Sequence, residues 1–229
     1  MCGRYTLTAD AESIQLAFDL DDVSVWEQPR YNIAPSQMVP VITNRNRKAL
    51  TLLKWGLVPS WAKDPAIGNR MINARSETAA EKPSFRTAFK KRRCLILSDG
   101  YYEWTKRAGK KVPMYIKRRD REIFAFAGLW ENWKKPDGNW LSTCAILTKD
   151  ANDFIRPIHH RMTVMIEPED YDTWLSEQEL TPDQWLPLMA GCDSEQLTAF
   201  EVSTQVNRPI NDNPTVILPV DAASQQTLL

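Results

Sequence analysis

Histidine is nearly missing from this sequence: of 229 residues only His159 and His160 carry an imidazole. Cysteine is sparse as well, at positions 2, 94, 144 and 192, with gaps far too wide for a CxxC zinc or redox pair. Such a supply does not furnish a metal cage, so neither a metal ion nor a cofactor is expected. The four cysteines read as free thiols in a reducing compartment. No apolar run approaches the ~20 residues that span a bilayer. The first twenty residues, MCGRYTLTADAESIQLAFDL, have acidic and polar side chains where a signal peptide has its apolar stretch. A cytoplasmic protein is therefore expected. Net charge is lacking too, since 29 Lys and Arg balance 29 Asp and Glu, and any nucleic-acid surface must then be a local patch. Phosphate-cradling glycine loops, GxGxxG, HExxH and GxSxG are absent, as are repeats and low-complexity tracts.

What remains is a sequence of ordinary globular composition, 43% hydrophobic and 25% charged. Its length allows one large domain or two small ones, and one is preferred, over residues 1–220 with a fraying tail at 221–229. Short β-branched runs predict strands at Val39–Thr43, Leu50–Trp55, Arg93–Leu97, Met114–Lys117, Ile123–Leu129, Ser142–Leu147, Met162–Ile166, Ala199–Val202 and Thr215–Leu218. Helices are fewer. One is capped by Thr8 or Asp10, turns Ile14, Ala17 and Phe18 inward and ends by Asp21 and Asp22. A second starts near Pro168, and a third at Thr181, where Thr181-Pro182-Asp183-Gln184 has capping-box spacing. Strands dominate without regular strand-helix alternation. The expected class is α+β, a barrel-like antiparallel or mixed sheet flanked by a few helices.

The most distinctive chemistry lies in Met1-Cys2-Gly3-Arg4. With Met1 removed, Cys2 carries an α-amine and a thiol on adjacent carbons. The amine condenses with an aldehyde to an imine, and the thiol adds to the imine carbon to close a five-membered thiazolidine. An α-amine titrates near 8, against about 10.4 for lysine, so a useful fraction is nucleophilic at neutral pH. On position alone Cys2 reads first as a small buried thiol.

Other constellations are suggestive singly. Asp99-Gly100-Tyr101-Tyr102-Glu103-Trp104 sets Glu103 at a strand-to-turn transition among large aromatics, where desolvation raises a carboxyl pKa toward the range used in acid-base work. Alternation along a strand lets at most one of His159 and His160 face a given pocket. Asn73, Arg75 and Glu77 share one face of an extended segment, fit either for a ligand or for an Arg75–Glu77 staple. Arg4, Arg70, Arg75 and the runs Lys90-Lys91-Arg92-Arg93 and Lys117-Arg118-Arg119 supply local positive charge. Trp55, Trp61, Tyr101, Tyr102 and Trp104 offer rings for stacking, although charge runs are usually solvated faces and tryptophans usually core.

Taken together, MCGRY at the start, RYNIAPSQ at 30–37, KWGLVPSW at 54–61, INARSET at 72–78, SDGYYEW at 98–104 and IHHRM at 158–162 resemble the SOS response-associated peptidase (SRAP) family. The blocks keep the family's order over about two-thirds of the chain. The resemblance implies an abasic-site processing protein. Its Cys2 would form a thiazolidine crosslink with the ring-opened sugar of an abasic site in single-stranded DNA, with associated lyase activity and removal of Met1. By the same resemblance Asn73 positions the α-amine, Glu103 serves acid-base steps and His159 assists ring opening. Arg4, Arg75 and Arg161 match phosphate-holding positions, and Pro35, Trp61, Trp104 and Thr148 match positions that shape the strand at the lesion. Pro83 stands where the family often has a basic residue, and Ala62 where some relatives have a second tryptophan. The expected partner is single-stranded DNA carrying an abasic site, bound by a monomer that joins the nucleoid when DNA is damaged. Two other readings stay open: an N-terminal-nucleophile amidohydrolase, which would turn over, and a DNA-binding module without chemistry.

Overall fold

A computed structural model describes residues 2–120 and 122–220; the tail at 221–229, expected to fray, lies outside the described residues. The chain builds two sheets. One has five strands, β1 (Tyr5–Leu7), β2 (Arg30–Ile33), β7 (Gly100–Arg107), β8 (Lys110–Arg118) and β13 (Leu197–Glu201), in the order β13-β8-β7-β1-β2. The other runs through β4 (Asn46–Trp55), β3 (Met38–Thr43), β6 (Arg93–Ser98), β9 (Phe124–Lys134) and β10 (Trp140–Asp150). Pairing of β9 with β10, together with the parallel pairing of β10 with β4, closes these five into a barrel. Three short strands attach to it: β5 (Asn73–Arg75) and β11 (Arg161–Thr163) on β10, and β12 (Met165–Ile166) on β9. The α+β expectation with a barrel-like mixed sheet therefore holds.

Barrel closure explains why β9 reads as a nearly continuous apolar run: Phe124, Ala125, Phe126, Ala127 and Leu129 are all buried. Tyr5 packs edge-on against Trp55 and Phe126, with ring centroids 5.3 and 5.8 Å away, and so joins β1 to the barrel interior. Asp99 pins the other end of β1. Its carboxylate accepts from the Thr6 hydroxyl, the Thr8 amide and, at 2.6 Å, the Thr8 hydroxyl. Tyr5 then pairs with Tyr101 and Thr6 with Gly100, which fixes the register of β1 on β7.

The helices are short. α1 (Ala11–Phe18) is capped by Asp10, whose side chain accepts from the Ser13 amide, and it stops at Asp19 in the left-handed conformation, two residues earlier than expected. Ile14 is buried in it, whereas Ala17 is exposed. α2 (Ser76–Ala79), α3 (Arg86–Lys91) and α4 (Tyr171–Trp174) follow, and α5 (Pro182–Leu188) carries the expected capping box.

Several local expectations are corrected. The segment expected to turn at Gly100–Trp104 is strand β7, because it pairs with both β1 and β8. Thr215–Leu218 is not a strand but mostly a 3-10 helix, Pro214–Ile217, capped by Asn213. Met162–Ile166 is interrupted at Val164, where the chain leaves β10 for β9. Two arginines of the basic runs are internal. Arg93 is fully buried and donates to the carbonyls of Phe89, Lys90, Trp174, Ser176 and Gln178, while Arg118 is buried against Asp120 and Glu167. Trp55, Tyr101 and Tyr102 are core residues too, so none of the three offers a stacking face.

Candidate functional site

The seam between the five-stranded sheet and the barrel gathers residues distant in sequence. Cys2 enters just ahead of β1 and is buried, 1% exposed. Continuing the Tyr5–Tyr101 register toward the N-terminus sets Gly3 opposite Glu103, and the bond from the Tyr102 amide to the Arg4 carbonyl, 2.9 Å, keeps the two segments in step. The Cys2 Sγ lies 3.7 Å from the Arg4 carbonyl oxygen. Burial, and then the neighbouring Glu103 charge, push the thiol pKa up, so the sulfur is held as a neutral thiol.

Asn73 opens β5, and its Nδ2 donates to the Cys2 carbonyl at 2.8 Å. Its Oδ1 is buried and accepts no hydrogen bond among the described residues. Glu103 is 3% exposed, and burial raises its carboxyl above the ordinary range. The sequence placed this carboxylate in partly dry surroundings, and the β7 strand supplies them.

His159 is half-buried, and its Nδ1 lies 3.0 Å from the Arg161 amide nitrogen and 3.1 Å from the Arg161 carbonyl oxygen, so residue 161 anchors the ring. Burial holds its pKa below the usual value. Both histidines precede β11 in irregular backbone rather than on a strand, yet of the pair only His159 faces the cavity, in line with the expectation of at most one. Their rings lie 4.4 Å apart and tilted by 32°. A cavity of about 540 Å³ opens beside His159, lined by Glu103, Trp104, Lys106, Lys111, His159 and Asn207.

Trp104 forms one wall. Its Nε1 donates to Asn207 Oδ1 at 2.8 Å, and the Arg4 guanidinium stands 6.0 Å from its ring centre. Arg4 in turn donates through one nitrogen to Asn32 Oδ1 at 2.7 Å and the Val206 carbonyl at 2.6 Å. Asn32 also holds the carbonyls of Val206, Arg208 and Asn211, so the segment 203–213 is strapped against the entrance by one buried amide.

The remaining sequence candidates divide by exposure. Arg75 is exposed at the end of β5, Trp61 is 58% exposed with its Nε1 donating to the Pro83 carbonyl at 3.4 Å, and Pro35 is half-buried in the turn before β3. Thr148 is fully buried, its hydroxyl donating to the Ala74 carbonyl at 3.4 Å, so it touches β5 and not the cavity. Arg161 is likewise internal. Its two terminal nitrogens bind Glu77 at 2.8 Å each, Asp150 at 2.5 Å and the Thr148 carbonyl at 2.7 Å. Glu77 thus begins a helix and pairs with Arg161, not with Arg75 along an extended face. Ala62 packs with Val58 and Trp133, whose Nε1 donates to the Ala62 carbonyl.

Asn207, Asn32, Lys106 and Lys111 were not singled out in the sequence. Asn32 sits inside the RYNIAPSQ block, but nothing in its spacing announces a partner at 206–211. No group of three or more His, Cys, Asp or Glu that could hold a metal occurs among the described residues, and no helix among them is long and apolar enough to cross a membrane.

A family model described as SOS response associated peptidase (SRAP) matches residues 1–209. The chain is similar to a Bacillus subtilis protein named abasic site processing protein YoqW, 42% identical over 221 residues that cover 95% of this chain and 99% of the relative. It is also similar to the Gallus gallus abasic site processing protein HMCES, 29% identical over 265 residues, covering 96% of this chain and 78% of the relative. A crystal structure of a Bacteroides thetaiotaomicron protein superposes with a TM-score of 0.87 at 27% identity, covering 96% of this chain and 100% of the other.

Proposed function

Because the chain belongs to the SOS response associated peptidase family, we propose that it processes abasic sites in single-stranded DNA by covalent capture on Cys2. Hydrolytic loss of Met1, the peptidase step of this reading, exposes the α-amine. That amine adds to the open-chain aldehyde of the abasic sugar, and loss of water leaves an imine. The thiol then adds across the C=N bond, sulfur to carbon and proton to nitrogen, which closes the thiazolidine. Before ring closure, loss of the sugar C2 proton and the 3′ phosphate from the imine would break the strand, and this is the lyase outcome.

The observation that carries the reading is the convergence of Asn73 and Glu103 on Cys2. Asn73 grips the Cys2 carbonyl and offers a buried Oδ1 suited to accept from a freed amine. Glu103, with its raised pKa, is suited to take protons from the attacking amine and return them to the departing hydroxyl. The neutral thiol fits this order of events, since the amine attacks first and the sulfur follows with its proton. His159 is suited to assist sugar ring opening at the cavity mouth, with Arg75 and Arg4 near the strand's phosphates and Trp61 and Trp104 against its bases. In this reading Arg161 and Thr148 act indirectly, by bracing β5.

The test is incubation of purified protein with single-stranded DNA bearing one abasic site. A heat-stable shifted band on a denaturing gel is expected from wild type and not from Cys2→Ala. A band of equal strength in both, or in neither, would sink the proposal.

A further inference from the structure

The cavity beside Glu103 and His159 has a second wall that the catalytic reading leaves unused. Lys106 on β7 pairs directly with Lys111 on β8, and Trp104, two residues from Lys106, lies on the same face of the hairpin. Both lysines are exposed and both line the cavity. Like charges directly opposite on an antiparallel pair destabilise it, yet neither ammonium has a carboxylate partner among the described residues. The next pair along, Arg107 with Lys110, is treated differently: Arg107 is neutralised by Glu201 at 2.8 Å. Glu201 thus compensates one of the two charges of that pair, while both charges of the Lys106–Lys111 pair face the cavity uncompensated.

The turn also fixes the register of the hairpin. Ala108 and Gly109 form its two-residue loop with φ of 48° and 77°, the paired left-handed conformation of a type I′ turn, which locks the register that holds the lysines opposite each other. Asn207 fixes the Trp104 indole beside them through the 2.8 Å bond to Nε1.

We propose that Lys106 and Lys111 form a phosphate subsite that neutralises two successive backbone phosphates next to the sugar entering the cavity, with the Trp104 face, held by Asn207, stacking on a neighbouring base. This rests on the abasic-site reading of the cavity and adds to it the residues that seat the strand. A single strand suits the arrangement, because a flexible backbone can bring adjacent phosphates to two closely spaced ammonium groups while its bases turn toward the ring.

The test is a fluorescence-anisotropy titration of an intact labelled single strand against the full chain, repeated across about 50–200 mM salt. In Lys106→Ala/Lys111→Ala the slope of log K against log salt should become shallower by roughly 1.4, about 0.7 for each phosphate released. The concentration of abasic DNA that half-saturates crosslinking should rise in the same variant, and Lys106→Arg/Lys111→Arg should keep the wild-type slope. An unchanged slope in the alanine variant, with wild type still crosslinking, overturns the subsite and spares the abasic-site reading. If wild type neither crosslinks nor binds the strand, both fall together.

Discussion

At the scale of single residues, the site depends on how burial sets protonation. Cys2 and Glu103 are both shut away from water, and each therefore disfavours its charged form. For the thiol this favours the neutral S–H, and in the proposed mechanism the sulfur keeps its proton until an imine is present. For the carboxyl the sign has a kinetic consequence. A raised pKa means that Glu103 takes up its proton at a higher pH than an ordinary glutamate, so its capacity as a base is lost as pH falls through that raised value. The crosslinking rate should accordingly fall more steeply below the raised Glu103 value than protonation of the α-amine alone dictates, and Glu103→Gln should remove that extra fall while lowering the rate by roughly 10² to 10⁴, the customary loss for an acid-base group. Single-turnover rates between pH 4 and 8 measure both, and a mutant profile as steep as the wild type's below that value would remove Glu103 from the proton transfers.

At the scale of elements, the critical joint is the pairing of β1 with β7, because it sets the N-terminal residues in register with Glu103. Gly100 makes that joint possible. A Cβ there would lie 2.2 Å from Tyr115 Oη and 2.3 Å from its Cζ, and that hydroxyl is hydrogen-bonded to Thr6 at 2.9 Å. Gly100→Ala must push the Tyr115 ring aside and break its tie to β1, at a cost of about 2–3 kcal/mol from overpacking and a disturbed buried hydrogen bond. Urea unfolding should show a lower midpoint with an unchanged m-value; an unmoved midpoint would mean that the β1–β7–β8 contact is looser than described. The Asp99 cluster works toward the same end, since Thr6 and Thr8 both bind its carboxylate and hold β1 at its C-terminal end.

At the scale of the molecule, a barrel and a second sheet meet at one seam, and residues 2, 73, 103 and 159 reach it from four separate segments. The barrel strands were legible in the sequence because closure buries them on both faces, leaving apolar β-branched runs that periodicity detects in β3, β6, β9 and β10. Strand β7 was not, because Gly100, Tyr101 and Tyr102 read as turn and aromatic cluster until a partner on each side makes them strand. The candidate site was legible only as blocks. Cys2 and Glu103 announced their chemistry through residue type, whereas Arg161, Thr148 and Arg93 could be recognised as internal only once Glu77, Asp150 and distant carbonyls were found beside them. Asn207 reaches the site through a strap more than two hundred residues from the N-terminus, which no local pattern encodes, whereas the Lys106–Lys111 pair follows from the two-residue Ala108-Gly109 turn between them.

The central claim is capture of an aldehyde by the amine and the thiol of one residue, and intact mass spectrometry of the protein after reaction with abasic single-stranded DNA tests it most directly. The account predicts a species equal to the chain without Met1 plus the DNA minus one water, unchanged in mass by borohydride because a thiazolidine has no C=N bond to reduce. An adduct that retains Met1, or one that gains two hydrogens on borohydride treatment, would contradict it.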